Sequence, residues 1–180
     1  MALAMPAASY ASYCGVLIWT GNHHTVVQGQ LYRSAQLSGP ELDREITADH
    51  IRTVLNLRGP NPSKDWYRAE LAMTRARGVE HVDIGISARS EVPEESVAKI
   101  LAVLRDAPKP ILVHCASGAD RTGFVAALYR YAIRGESAAV SDRELFTALW
   151  ALSLPSEQDR RDGRQRTSIL RDPRSGRYRS

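Results

Sequence analysis

The sequence predicts an α/β fold: a central, mainly parallel sheet with helices on both faces and an anion-binding loop between a central strand and a helix. Three observations predict it. Short apolar runs alternate with amphipathic stretches, the pattern of strands joined by crossover helices. Gly and Pro punctuate the ends of these stretches. Residues 114–123, His114-Cys115-Ala116-Ser117-Gly118-Ala119-Asp120-Arg121-Thr122-Gly123, form a run of small residues between an apolar segment and a helical pattern. Such a run belongs at the carboxyl end of a parallel strand, where open sheets bind their ligands.

The elements follow in chain order. Thr25 to Val27 and Gln30 to Tyr32 read as a hairpin around Gly29. Ser38 is an N-cap with Pro40 early in the first turn, opening a helix to about Asp49. Thr53 to Leu57 is a buried strand that Arg58-Gly59-Pro60 ends. Asp65 to Arg77 is a helix closed by Gly78, and His81 to Ile86 is a strand. Pro93 to Asp106 is a helix with Val97, Ile100, Leu101 and Leu104 on one face. Pro110 to Val113 leads into the loop. Phe124 to Arg134 is a helix striped by Phe124, Leu128 and Tyr131, which Gly135 stops. Ser141 and Glu144 form a capping box for a last helix to about Leu152.

Each residue type in the loop has a chemical task. A helix N-terminus and a nearby cation favour thiolate over thiol, so Cys115 is the candidate nucleophile. Arg121 offers a planar fork for two oxygens of a tetrahedral oxyanion. Ala116, Ser117, Gly118, Ala119, Asp120 and Arg121 supply backbone amides to a phosphate-sized cup. Gly118 gives the backbone a φ that other residues resist. Thr122 can hydrogen-bond the Cys115 thiolate or assist an attacking water. His114 is placed to tie the loop down from behind. Cys14 lacks such surroundings and reads as a small buried hydrophobe. His23, His24, His50 and His81 show no metal-ligand spacing, so no metal is expected.

Cys-x5-Arg-Thr with His before and Gly after resembles the signature of the cysteine-dependent protein tyrosine and dual-specificity phosphatases. Leu31-Tyr32-Arg33-Ser34-Ala35-Gln36, Val54-Leu55-Asn56-Leu57-Arg58-Gly59 and Trp66-Tyr67-Arg68-Ala69-Glu70 resemble further blocks of the compact bacterial members. The resemblance implies a phosphotyrosine-phosphatase-like fold, hydrolysis of phosphoric monoesters through a cysteinyl-phosphate, and no cofactor. It also places Arg33 with Ser34, and Arg58, as braces near the loop; Arg58 is expected on the loop backbone and Arg33 on an acid. The general acid is left open by the residues. The loop where many relatives carry an aspartate reads Ser87-Ala88-Arg89-Ser90-Glu91-Val92-Pro93. Asp120 is the first candidate, although a carboxylate there also caps a helix. Asp83 is the second candidate and Glu91 the third.

Composition fits one globular domain. The chain has 180 residues, 43% hydrophobic and 24% charged, with two cysteines. Two cysteines argue against a disulfide framework and for a reducing compartment, hence the cytoplasm. No apolar run approaches the length of a membrane span. Residues 1–24 read as a partly irregular N-terminal segment, 25–155 as the phosphatase domain and 156–180 as an Arg-rich tail. The tail holds eight Arg and four acids, which accounts for the whole net charge of +4. It suits contact with an acidic partner or surface, or is simply solvated. A single aromatic, Tyr178, lies among its arginines, too few for the repeated stacking that bases want, so no dedicated nucleic-acid site is expected. The substrate is a phosphorylated protein or another phosphate ester: phosphotyrosine, phosphoserine or phosphothreonine, a phosphoinositide or a small molecule. A rhodanese-like sulfurtransferase and a non-catalytic phosphate-binding module are the alternatives from other classes.

Overall fold

The computed structural model describes residues 7–88 and 90–149. Five strands form one sheet in the order β1-β2-β5-β3-β4. They are β1 (His24–Val27), β2 (Leu31–Ser34), β3 (Thr53–Asn56), β4 (Glu80–Asp83) and β5 (Ile111–His114). Only the β1–β2 hairpin is antiparallel; β2, β5, β3 and β4 run parallel. The helices are α1 (Ala7–Trp19), α2 (Gly39–Ala48), α3 (Asp65–Arg77), α4 (Glu94–Asp106), α5 (Asp120–Leu128) and α6 (Ala138–Leu149).

Alternation along the buried strands sends side chains to two cores. Leu31, Leu55, Ile111 and Val113 pack with Ile100, Leu104, Val125, Ala126 and Leu128 from α4 and α5. Tyr32, Val54 and Leu112 pack with Leu42 and Ile46 of α2. The sheet is therefore covered on both faces, as parallel strands require. β2, β5 and β3 finish level: Ser34 and Asn56 both pair with His114. Cys115 is the next residue, so the loop opens at the point where three buried strands end.

Local signals set the helix ends. Ser38 and Glu41 form a capping box that starts α2. Gly78 takes φ 64° and closes α3 at Arg77. Three elements differ from expectation. β4 stops at Asp83, because the loops after β3 and β4 turn against each other there. A Cβ on Gly59 would lie 3.2 Å from the Gly85 Cα. Ile84 and Ile86 still donate backbone bonds to Asn56 and Leu57. α5 passes into a single π turn, Tyr129–Ile133, closed by Arg134 N–H on the Tyr129 carbonyl. The wider turn rotates the helix face, so Tyr129 is buried in place of Tyr131. α6 begins at Ala138, and Ser141 lies inside it, donating to the Ser137 carbonyl. Ser141 and Glu144 therefore make no capping box. The expected helix end at Leu152 and the tail 156–180 lie outside the described residues. No helix among the described residues is long and apolar enough to cross a membrane.

Candidate active site

Cys115 is 2% exposed, and its Sγ accepts a hydrogen bond from the Gly118 N–H at 3.2 Å. The chain must fold tightly for that bond. Gly118 has φ 69°, and a Cβ there would lie 2.5 Å from the Ala35 nitrogen and the Ser34 carbonyl carbon. Only glycine lets the loop rest on the end of β2. Asn22 fastens the same point: its side-chain amide donates to the Ser117 carbonyl at 2.8 Å and the Gly118 carbonyl at 3.0 Å. The Gln36 N–H donates to the Ala116 carbonyl at 3.1 Å. Ala119 ends the loop, and its carbonyl accepts the Gly123 N–H of the first turn of α5.

Arg121 sits in the first turn of α5. Its Nη1 donates to the Leu57 carbonyl at 3.1 Å, just after β3, and to the Ile86 carbonyl at 3.5 Å, in the loop after β4. Asp120 is the first residue of α5 and half-buried. Thr122 departs from expectation: its buried hydroxyl donates to the Ala119 carbonyl at 3.2 Å instead of the Cys115 sulfur. Helical geometry explains this, since a hydroxyl in the first turn meets the carbonyl three residues back.

The braces divide. Arg33 is buried and pairs with Glu144 at 3.1 Å, as an acid partner was expected. Glu144 also takes Arg130 at 2.8 Å, which ties β2 to α6. Burial pushes the Arg33 guanidinium below its usual range, opposed by Glu144 and by the Cys115 charge. Ser34 donates to the Ala35 carbonyl and carries the backbone that Gly118 touches. Arg58 hydrogen-bonds the Gln36 side chain at 3.0 Å and lies 3.7 Å over the Trp66 ring, so its contact is with these side chains and not with the loop backbone. Burial, then the nearby Arg121 cation, holds the Arg58 guanidinium below its usual range.

His114 reaches back to α3, its Nε2 lying 3.1 Å from Glu70 Oε1. Of the other acid candidates, Asp83 accepts from the Tyr67 hydroxyl at 2.5 Å and the Asn56 amide at 2.7 Å. The bond to that carboxylate pushes the Tyr67 phenol up to about 12. Glu91 is exposed in the segment before α4. Cys14 is half-buried on α1 rather than buried in a core. Sequence reading missed Asn22 and Glu70 as site residues. Away from the loop, His23 Nε2 lies 3.0 Å from Asp49 and 3.6 Å from Glu45. These three could hold a cation by spacing, and a half-buried histidine set between two carboxylates accounts for the same geometry.

A family model described as the tyrosine phosphatase family matches residues 17–142, which takes in the loop, both braces and Asn22. The chain belongs to the tyrosine phosphatase family. It is a cysteine-dependent phosphatase that hydrolyses phosphoric monoesters, and the sulfurtransferase and non-catalytic readings are not favoured. Solved structures share this fold. The core catalytic domain of the PP-IP phosphatase Siw14 from S. cerevisiae is 21% identical; the match covers 81% of this chain and 93% of that one, with TM-score 0.57. TpbA from P. aeruginosa is 23% identical over 84% of each chain, with TM-score 0.58. Tk-PTP is 21% identical over 82% of this chain and 97% of that one, with TM-score 0.59. No curated protein matches the sequence.

Proposed function

We propose that this phosphatase acts on phosphotyrosine in proteins, and on other aryl phosphates, through a cysteinyl-phosphate on Cys115. The observation that carries the reading is the Gly118 N–H on Cys115 Sγ inside a loop tied down at Ala116, Ser117 and Gly118. Donors fixed before substrate arrives stabilise charge without reorganisation. Sγ attacks phosphorus, the ester P–O bond breaks, and the leaving oxygen takes a proton. Water then attacks phosphorus, the S–P bond breaks, and phosphate leaves. Both bonds from Arg121 to backbone carbonyls use Nη1, so its Nε–Nη2 edge serves the equatorial oxygens. Asp120 is our general acid. Its place beside Arg121 at the start of α5 supports this, as does the engagement of Asp83 by Tyr67 and Asn56.

A second reading takes a small phosphate ester or inositol phosphate as substrate. Arg58 favours it: no carboxylate pairs with this guanidinium among the described residues, and the neighbouring peptide carbonyl of Leu57 holds Arg121. Siw14 is a PP-IP phosphatase, and TpbA has been crystallised with phosphotyrosine. We place the protein in the cytoplasm, since Cys115 must stay reduced and both cysteines are free. The Arg-rich tail would then meet an acidic partner or surface. A panel of phosphotyrosine peptide, phosphoserine peptide and inositol polyphosphate tests the substrate. Highest kcat/KM on the phosphotyrosine peptide supports the first reading; highest on the inositol polyphosphate replaces it with the second. Leaving groups of graded pKa test the acid: Asp120→Asn should slow alkyl esters far more than activated aryl esters. An equal loss on every ester removes Asp120 as acid.

A further inference from the structure

We infer that Glu70 is the positioning residue of the phosphate loop: its buried carboxylate holds His114 ahead of the nucleophile and Gln36 beside Ala116, and so presets the loop amides. The inference rests on the phosphatase reading of the same loop. Glu70 is 3% exposed. A carboxylate at that depth is costly unless fully hydrogen-bonded, and a role in packing alone would be served as well by an apolar side chain. Glu70 has three partners. His81 Nε2 at 2.8 Å and His114 Nε2 at 3.1 Å meet Oε1, and the Gln36 amide donates to Oε2 at 2.7 Å. Burial alone would raise the carboxyl, but the bonds from His114, His81 and Gln36 hold it at about 2.

Two of the three partners lead straight to the loop. His114 precedes Cys115, and Nδ1 on the other side of its ring is buried without a hydrogen bond among the described residues. Glu70 is thus the anchor of that imidazole. Gln36 works with both ends. Its side-chain oxygen accepts from Arg58, and its backbone N–H donates to the Ala116 carbonyl. In a trans peptide the carbonyl and the following N–H point opposite ways. Holding the Ala116 carbonyl toward Gln36 therefore turns the Ser117 N–H the other way, into the cup. Phosphate does not have to organise this peptide.

The hydrogen-bond pattern supplies the test. Glu70→Gln places an amide nitrogen where an oxygen accepted, so Gln36 in one orientation, or both His81 and His114 in the other, lose their acceptor. Exchanging the pair, Glu70→Gln with Gln36→Glu, restores every link. The amide carbonyl at 70 keeps both imidazoles, its nitrogen donates to the carboxylate at 36, and that carboxylate keeps Arg58. Aryl-phosphate kinetics, vanadate inhibition and thermal unfolding are measured on each. Glu70→Gln should lower kcat by roughly 10- to 100-fold, the scale of a loop amide displaced by a fraction of an ångström to 1 Å, and weaken vanadate. The double variant should recover both. Unchanged kcat and vanadate affinity in Glu70→Gln, whatever its unfolding temperature, overturns the inference. So does a folded double variant that recovers neither. If Glu70→Gln does not fold, Gln36→Met removes the side-chain bonds of Gln36 to Glu70 and Arg58 and leaves only its backbone N–H on Ala116, and unchanged vanadate affinity there overturns it. Failure of the phosphatase reading itself would show separately, as absent turnover in the unmodified protein.

Discussion

Gly118→Ala is the sharpest perturbation of the loop. The added Cβ would sit 2.5 Å from the Ala35 nitrogen and the Ser34 carbonyl carbon, both main-chain atoms of a strand end buried between sheet neighbours. Ordinary contact begins near 3.4 Å. The loop must therefore retreat by about 0.9 Å, the difference of those two distances, because the strand cannot. Alanine at φ 69° adds a left-handed strain of about 1–2 kcal/mol. Overpacking against main chain adds about 1–3 kcal/mol. The sum, roughly 2–5 kcal/mol, lowers the unfolding temperature by roughly 4–20 °C for a chain of this size. The retreat also carries the Gly118 N–H off Cys115 Sγ and pulls on both Asn22 bonds. A donor misplaced on this scale costs about 10²-fold in turnover. Differential scanning fluorimetry and aryl-phosphate kinetics read the two effects. An unfolding temperature within 1 °C of wild type, together with wild-type kcat, would refute the close approach of loop and strand.

Three further outcomes are expected. Arg121→Lys loses the planar fork and its hold on the Leu57 and Ile86 carbonyls, so kcat should fall by orders of magnitude and vanadate should bind more weakly; near-normal values would show that Arg121 serves elsewhere. Asn22→Ala removes both amide bonds to the loop and should cost about 1–3 kcal/mol in urea unfolding with a rise in KM; no change in either would detach the N-terminal segment from the site. Glu70 titrates at about 2 in the folded protein, so its depressed value contributes stability above the unfolded carboxylate range that is lost as pH falls from about 5 toward 2. Glu70→Gln should flatten that part of the stability–pH curve, and an unchanged acid slope would contradict the ionised, hydrogen-bonded carboxylate.

What the sequence made legible follows from how local each signal is. Asp65 to Arg77 with Gly78 needs only a periodic pattern and a left-handed stop, and the helix has those bounds. The loop was legible because strand, small residues, arginine and helix lie within about twenty residues of one another. The α5 face was not, because a π turn inserts an extra residue without a sequence mark and brings Tyr129 inward. Ser141 fits a capping box by spacing, yet Ala138 to Val140 already join the helix and leave it an interior position. Of the two roles open to Thr122, a bond to the sulfur or help to an attacking water, the sequence does not choose, and helix geometry turns its hydroxyl to the Ala119 carbonyl. Asn22 and Glu70 act across 95 and 44 residues of chain. No periodicity records such partners. The faint signals were a Gly-Asn pair suited to a positive φ at Asn22 and an acid on an otherwise core-facing position of α3.

The central claim is that Cys115 is the nucleophile. Its direct measurement is pre-steady-state turnover of a radiolabelled aryl phosphate, quenched in alkaline denaturant where the S–P bond survives, with peptide mapping of the trapped label at alkaline pH. Label is expected on the peptide containing Cys115 in the unmodified protein, and neither label nor turnover in a folded Cys115→Ser variant, whose hydroxyl has no base to activate it. Sustained turnover by Cys115→Ser, or turnover of the unmodified protein with no label at Cys115, would contradict it.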